Sequence, residues 1–176
     1  RSGSTVSCRL PEPMAPRITI ITPSYLQAPY LEECLRSVRE QDGVEVEHVV
    51  VDGGSTDGSA ELIRSRQHDL AWWCSEADAG QSDALNKWLA HATGAVFGWI
   101  NSDDRLLPGA LRVVSERFTA DPDLIVLEGR RLLEDPGGSV VRSPLNDRTD
   151  PEALLVAPVI NQQSTFYRMD AVRAAG

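Results

Sequence analysis

Ile18-Thr19-Ile20-Ile21-Thr22-Pro23-Ser24-Tyr25 is the stretch on which the fold turns. Its first five residues are β-branched, which suits a short strand buried on both faces, and Pro23 is expected to stop it. Behind it, Tyr30, Leu31, Cys34, Leu35 and Val38 recur at helical spacing. They predict a helix over 29–41 with Pro29 in its first turn, where a missing N–H costs nothing. Val46 to Val51 reads as a second strand, ending at Asp52. Strand, helix and strand with short connections make a right-handed βαβ unit.

The alternation continues downstream. Gly53 to Gly58 is a turn into a helix near 59–67, and Leu70 to Cys74 reads as a third strand. Ala84, Leu85, Trp88, Leu89 and Ala92 form one stripe of a helix over 81–92, with Gly94 placed as its C′ cap. Ala95 to Ile100 is a fourth strand, and Pro108 opens a helix to Ala120. After Asp123 the texture changes. Segments 124–128, 131–134 and 139–142 read as strands, with Asp135-Pro136-Gly137-Gly138 as a hairpin turn. A short helix is expected over 151–156, a strand over 163–168, and a last helix capped by Asp170. The expected fold class is therefore α/β: a Rossmann-like, mostly parallel sheet flanked by helices, with a small antiparallel C-terminal part. Residues 1–16 read as a leader without regular structure and 17–176 as one domain.

Bulk properties narrow the function. The chain has 176 residues, 41% hydrophobic and 24% charged, with a net charge of -9. Such an acidic chain is a poor nucleic-acid binder, which needs clustered Lys and Arg to displace counterions. A nucleotide ligand is still compatible, because a divalent cation can neutralise its phosphates. Cys8, Cys34 and Cys74 lack metal-ligand spacing, and core packing is the better reading of the last two. No apolar run approaches the ~20 residues of a bilayer span, and a cytoplasmic location is expected.

In open parallel sheets, ligands bind beyond the C-terminal strand ends. Three polar clusters fall there: Thr22 to Tyr25, Asp52 to Ser55, and Asn101 to Asp104. Asp103 and Asp104 repel one another unless a cation binds, and Mg²⁺ or Mn²⁺ often takes one or two carboxylates plus phosphate oxygens. Taken alone, such a pair is more often a cap for the helix that follows, complementing its dipole. Asp52 beside two glycines offers a carboxylate to a base N–H, or simply closes a turn with Ser55 or Asp57 as the helix cap. Tyr25 either stacks on a base or covers the sheet edge. Asp78 to Ala84 opens a helix whose N–H groups can face an anion, while Asp78 and Asp83 also serve as caps. Lys87 reaches a phosphate or remains solvated. His48, His68 and His91 show no ligand spacing.

Taken together, Ile18–Tyr25, Val49–Gly58, Ser75–Lys87, Gly98–Asp104 and Asn161–Phe166 resemble the family 2 glycosyltransferases, whose fold is GT-A. The resemblance covers nearly everything from Arg17 onward. It implies that Thr22, Pro23 and Tyr25 line a nucleoside pocket and that Asp52 bonds the base. Asp83 would help hold the donor, Asp103 would contact ribose or metal, and Asp104 would ligate Mn²⁺ or Mg²⁺. Asn101 stands where the family's acidic pattern has its first acid, which moves the expected contacts to the later pair. The implied reaction is inverting transfer from a UDP- or GDP-type sugar to a glycan or lipid-linked acceptor, as in polysaccharide biosynthesis, with peripheral membrane association compatible. Gln162 to Thr165 would lie near the acceptor. The general base of related members falls beyond the equivalent of Gly176, and neither Asp147 nor Asp150 is assigned that role, so a chain shortened at its C-terminus is expected. Two other readings are a non-catalytic module with this fold and a sugar nucleotidyltransferase. The latter wants a Gly- and Lys/Arg-rich loop where this chain has Pro23 to Gln27.

Overall fold

A computed structural model describes residues 15–89, 91–135, 139–141 and 160–175. The strands and helices run β1 (Ile18–Ser24), α1 (Ala28–Arg39), β2 (Val46–Asp52), α2 (Ser59–Ser65), β3 (Trp72–Ser75), α3 (Gln81–Leu89), β4 (Val96–Trp99) and α4 (Ala110–Ala120). Then follow β5 (Val126–Glu128), β6 (Leu133–Glu134), β7 (Val140–Val141), β8 (Thr165–Arg168) and α5 (Met169–Ala175). The expected α/β class is present. A six-stranded sheet has the order β3-β2-β1-β4-β8-β5, and β6 pairs with β7 as a separate antiparallel ladder. The first four strands are parallel, whereas β8 runs antiparallel to both β4 and β5.

Alternation along β1 explains the layers. Ile18 and Ile20 pack with Cys34 and Val38 of α1 and with Leu111, Val114 and Phe118 of α4. Ile21 faces the opposite side, with Ala84 of α3 and Met169 of α5. Val50 joins Leu31 and Leu35 of α1 and Ile63 of α2. Both strands are covered on both faces, so burial runs on along β1 and β2 without alternation, through polar and apolar residues alike.

Several boundaries differ from expectation for identifiable reasons. Pro23 does not end β1, because the strand continues through the Pro23↔Val51 and Ser24↔Asp52 pairs. Residues Gln67–Asp69 form a short 3-10 turn rather than the end of α2. Gly94 is not a left-handed helix cap, since its φ is not positive. A Cβ there would meet Thr19 N at 2.7 Å and Arg17 O at 2.9 Å, so close backbone approach is what demands glycine. Met169 begins α5, which puts Asp170 in its first turn rather than before it. Trp72 and Trp73 pack on opposite faces, both half-buried. Cys34 is buried in the core and Cys74 half-buried, both as free thiols. Residues 1–14 of the expected leader (1–16), Cys8 among them, residues 136–138 of the turn, the helix at 151–156, Asp147 and Asp150 lie outside the described residues. No helix among the described residues is long and apolar enough to cross a membrane.

Gly98 in β4 shows how tightly the sheet meets its antiparallel neighbour. A Cβ would lie 2.7 Å from Phe166 Cδ1 and 2.9 Å from Cε1, so the buried ring has to move. Gly98→Ala is expected to destabilise the chain by about 1–3 kcal/mol through overpacking, read as a lower urea midpoint at unchanged slope. A midpoint at or above that of the parent would contradict this packing.

Candidate functional site

The sheet order places β1 at the reversal point: β2 and β3 lie on one side and β4 on the other. Such a switch point leaves a crevice at the C-terminal strand ends, because the connections depart in opposite directions. A cleft of about 600 Å³ opens there. Its walls are Pro23 and Ser24 at the end of β1, Tyr25 and Gln27 after it, Gly53 after β2, and Ala77 and Asp78 after β3. Gly80, Gln81 and Ala84 at the start of α3, and Asn101, Ser102 and Asp103 after β4, complete it. The size suits a small ligand, whose pockets run roughly 300–1,000 Å³.

Tyr25 is 61% exposed, so its ring is free to stack on a planar group. Ser24 is buried, and its hydroxyl makes no hydrogen bond among the described residues. Thr22 is brought to the same strand end but not to the cleft surface. It is fully buried, and its Oγ1 lies 3.0 Å from Nε2 of the buried His48. Burial pushes the His48 imidazole down to about 4, so it is neutral near pH 7.

Asp52 is also turned inward. Its carboxylate is fully buried and accepts hydrogen bonds from Ser55 N (2.9 Å), Ser55 Oγ (2.5 Å) and Ser75 Oγ (2.6 Å). Ser55 Oγ in turn accepts from Leu26 N at 2.9 Å. Rather than facing a base, Asp52 ties together the ends of three strands. Gly58, not Ser55 or Asp57, is the N-cap of α2; Asp57 before it accepts from Ser59 N and Oγ at the start of α2 and from Ala28 N at the start of α1. The Ser59 hydrogen bond, followed by that from Ala28, holds its carboxyl below the ordinary carboxylate range.

Asp83 accepts from Ala79 N (3.2 Å) and pairs with Lys87 Nζ (3.2 Å), which also reaches Glu76 Oε1 (3.3 Å). Neither Asp83 nor Lys87 lines the cleft. The bond from Ala79 and the pair with Lys87 hold the Asp83 carboxyl below its ordinary value.

Asp103 and Asp104 differ from these acids. Asp103 is exposed on the cleft wall and Asp104 is half-buried behind it. No hydrogen bond from the described residues reaches either carboxylate. Burial, then the adjacent Asp103 charge, raises the Asp104 carboxyl above its ordinary value, with Arg131 opposing. A dication relieves both causes at once. Among the described residues no group of three or more His, Cys, Asp or Glu side chains is placed to hold a metal ion. Two carboxylates completed by ligand oxygens are the arrangement on offer, which fits Mg²⁺ or Mn²⁺ better than an all-protein cage.

One feature of the rim had no sequence signal beyond its polarity. Gln81 Nε2 donates to Asn101 Oδ1 (2.5 Å), and Asn101 Nδ2 donates to Gln162 Oε1 (3.3 Å). Gln162 Nε2 donates to Trp99 O (2.8 Å). This amide chain joins α3, the β4 end and the turn before β8, so Gln162 does sit beside the β4 end. Ser75 was equally hidden, although it is the register partner of Asp52.

The model of the family described as "Glycosyl transferase family 2" matches residues 19–173. An uncharacterized glycosyltransferase of Mycobacterium tuberculosis is 37% identical over 92 residues, covering 52% of this chain and 35% of that protein. A mannosyltransferase of Pyrobaculum calidifontis, solved with GDP-Man and Mn²⁺, is 27% identical at a TM-score of 0.67, covering 92% of this chain and 47% of that one. S. aureus TarS, solved with UDP, shares the fold at 24% identity and a TM-score of 0.71, covering 90% and 48%. The chain therefore spans about a third of the curated relative and about half of the solved neighbours.

Proposed function

Because this chain belongs to glycosyl transferase family 2 and has the GT-A fold, we propose that it is the donor-binding part of a glycosyltransferase. It would move a hexose-like sugar from a UDP- or GDP-type donor to an acceptor hydroxyl, with inversion and with Mn²⁺ or Mg²⁺. The observation that carries this reading is the Asp103–Asp104 pair at the rim of the switch-point cleft, two carboxylates that no donor among the described residues reaches. The mannosyltransferase at 27% identity, solved with GDP-Man and Mn²⁺, supports it.

In this reading Tyr25 and Pro23 contact the nucleoside, while Asp103 and Asp104 hold the cation. When bound, the cation offsets charge that develops on the departing diphosphate. The start of α3 works in the same direction. Gly80 O accepts from Asp83 N and Ala84 N, while Ala79 N and Gly80 N are taken by Asp83 and Asp78, which leaves Gln81 N and Ser82 N without a partner among the described residues, Gln81 lining the cleft. Those groups and the helix dipole favour an anion. Thr22, Asp52 and Asp83 serve as supports: Thr22 ties β1 to His48 of β2, Asp52 holds the loop after β2, and Asp83 holds the turn before α3. The acceptor proton passes to a carboxylate as general base, and no described residue is given that role. A glycan or lipid-linked acceptor beside Gln162, and a cytoplasmic location, belong to the same proposal.

Calorimetric titration with UDP and GDP, with and without Mn²⁺, tests it. Binding is expected to strengthen with Mn²⁺. Tyr25→Ala should weaken it about tenfold, the worth of one aromatic–base stack, and keep the metal response. No binding, or binding indifferent to the ion, would sink the donor-site assignment.

A further inference from the structure

Asp78 is a half-buried acid on the cleft wall with half of its carboxylate unused. Its Oδ1 accepts from Gly80 N at 2.8 Å, which shapes the turn before α3. Its Oδ2 accepts no hydrogen bond from the described residues. Its position is decided by Gly53, which has no side chain to hold the space. A Cβ on Gly53 would lie 3.2 Å from Asp78 Oδ2 and 3.2 Å from Tyr25 Cδ2. Asp78 and Tyr25 therefore meet over one glycine, so a free acceptor and an exposed ring share the same end of the cleft. Asp52, the other acid at this end, is fully buried with three protein donors on its carboxylate.

We propose that Asp78 is the residue that reads the nucleobase, accepting a hydrogen bond on Oδ2 from a ring N–H of the base stacked on Tyr25. This rests on the donor-site reading above and adds the group that sets base preference. An ionised carboxylate only accepts. Uracil and guanine carry a ring N–H at their Watson–Crick edge, whereas cytosine and adenine present an unprotonated ring nitrogen there. The ring nitrogen of the second pair would put a lone pair against the carboxylate. Selection follows from that repulsion as much as from the bond formed.

The experiment is calorimetric titration of the chain with UDP, GDP, CDP and ADP in Mn²⁺, with inorganic pyrophosphate in Mn²⁺ as the base-free probe. The parent should favour UDP or GDP over CDP and ADP by tenfold or more. Asp78→Asn keeps a carbonyl oxygen for Gly80 N, so the turn survives, but it removes the charge and offers an NH₂ that can face a ring nitrogen. It should lose at least tenfold for the preferred diphosphate, narrow or reverse the preference against CDP, and leave pyrophosphate unchanged. Gly53→Ala, which crowds Asp78 Oδ2 and Tyr25 directly, should weaken nucleoside diphosphates and again spare pyrophosphate. Equal losses for all four diphosphates and pyrophosphate would reduce Asp78 to a loop support and overturn the proposal. So would an unchanged base preference in Asp78→Asn, or a preference that shifts in Asp52→Asn instead. A parent that binds pyrophosphate and all four diphosphates alike also overturns it. A parent that binds nothing refutes the donor site itself, a separate failure.

Discussion

Asp104→Asn is expected to raise the melting temperature of the metal-free chain while removing most of its Mn²⁺-dependent affinity for a nucleoside diphosphate. Both effects have one cause. The Asp104 carboxyl is half-buried beside Asp103, and burial followed by the like charge disfavours its ionised form. An amide of the same shape carries neither penalty. In the proposed role as a cation ligand the charge has a use only when the ion is present, and its loss should cost about 100-fold in metal affinity, the upper end of what lost partners of metal sites cost. The pH dependence has a definite sign. A carboxyl raised in the folded state binds its proton more tightly there than when unfolded, so acidification removes the penalty and stabilises the metal-free chain relative to neutral pH. The same acidification weakens the metal response, beginning above the ordinary value of 3.8. Thermal melts and titrations on parent and variant, across pH, would check both halves. A melting temperature that falls together with affinity would show that Asp104 is a structural residue.

Glu47→Ala should have the opposite profile: a large loss of stability with nucleotide binding intact in whatever fraction remains folded. Glu47 is only 7% exposed, yet it is a carboxylate near the start of β2, at the end of the sheet away from the cleft. It accepts from Thr19 Oγ1 (2.5 Å), Thr93 N (2.8 Å) and Thr93 Oγ1 (2.7 Å). Thr19 Oγ1 also accepts from Gly94 N at 3.0 Å, so one acid fixes β1, β2 and the turn into β4. Truncation strands donors in a closed site at about 1–3 kcal/mol each, and the hydroxyls can turn elsewhere, so a net loss of about 3 kcal/mol is expected. Burial pushes the carboxyl up, but the Thr19 and Thr93 hydrogen bonds outweigh it and hold it below the ordinary 4.5. A depressed carboxyl stabilises the fold above that ordinary value, and the contribution is lost as pH falls through the depressed one. In Glu47→Ala the stability curve should accordingly flatten on the acid side. Urea midpoints at pH 7 and at acid pH would test this, and a change under 1 kcal/mol at pH 7 would refute it.

The layered sheet was legible because its signal is one of pattern. Ile18–Thr22 and Val46–Val51 are buried on both faces, and the stripe Ala84–Leu85–Trp88 has helical period, so each element could be found without its neighbours. The strands of the parallel half were right to within two residues for that reason. Failures fell where a partner decided the outcome. Pro23 stays in β1 because β2 runs alongside it, and Gly94 is glycine because of the Arg17 and Thr19 backbone rather than helix chemistry. The site divides in the same way. That polar residues gather at three strand ends follows from topology, and Pro23, Tyr25 and Asp103 do line the cleft. Which acid points out and which points in does not follow. Asp52 and Asp78 look alike in sequence, and only Ser55, Ser75 and the bare Gly53 separate them.

The strand order also has a temporal side. β1 and β2 are joined by one short crossover, and β3 adds directly to β2. β8 reaches β4 only after an excursion through α4 and β5, pairing Val96 with Arg168. Closing a longer loop costs more chain entropy before any contact repays it, and distant pairings are the slow ones. During synthesis the stretch through β4 emerges with its four parallel strands and Asp103–Asp104 already encoded, while Gln162 is still to come. The Tyr25 end of the cleft is thus encoded before its far rim, and the Asn101–Gln162 bridge forms only when the chain returns toward β8.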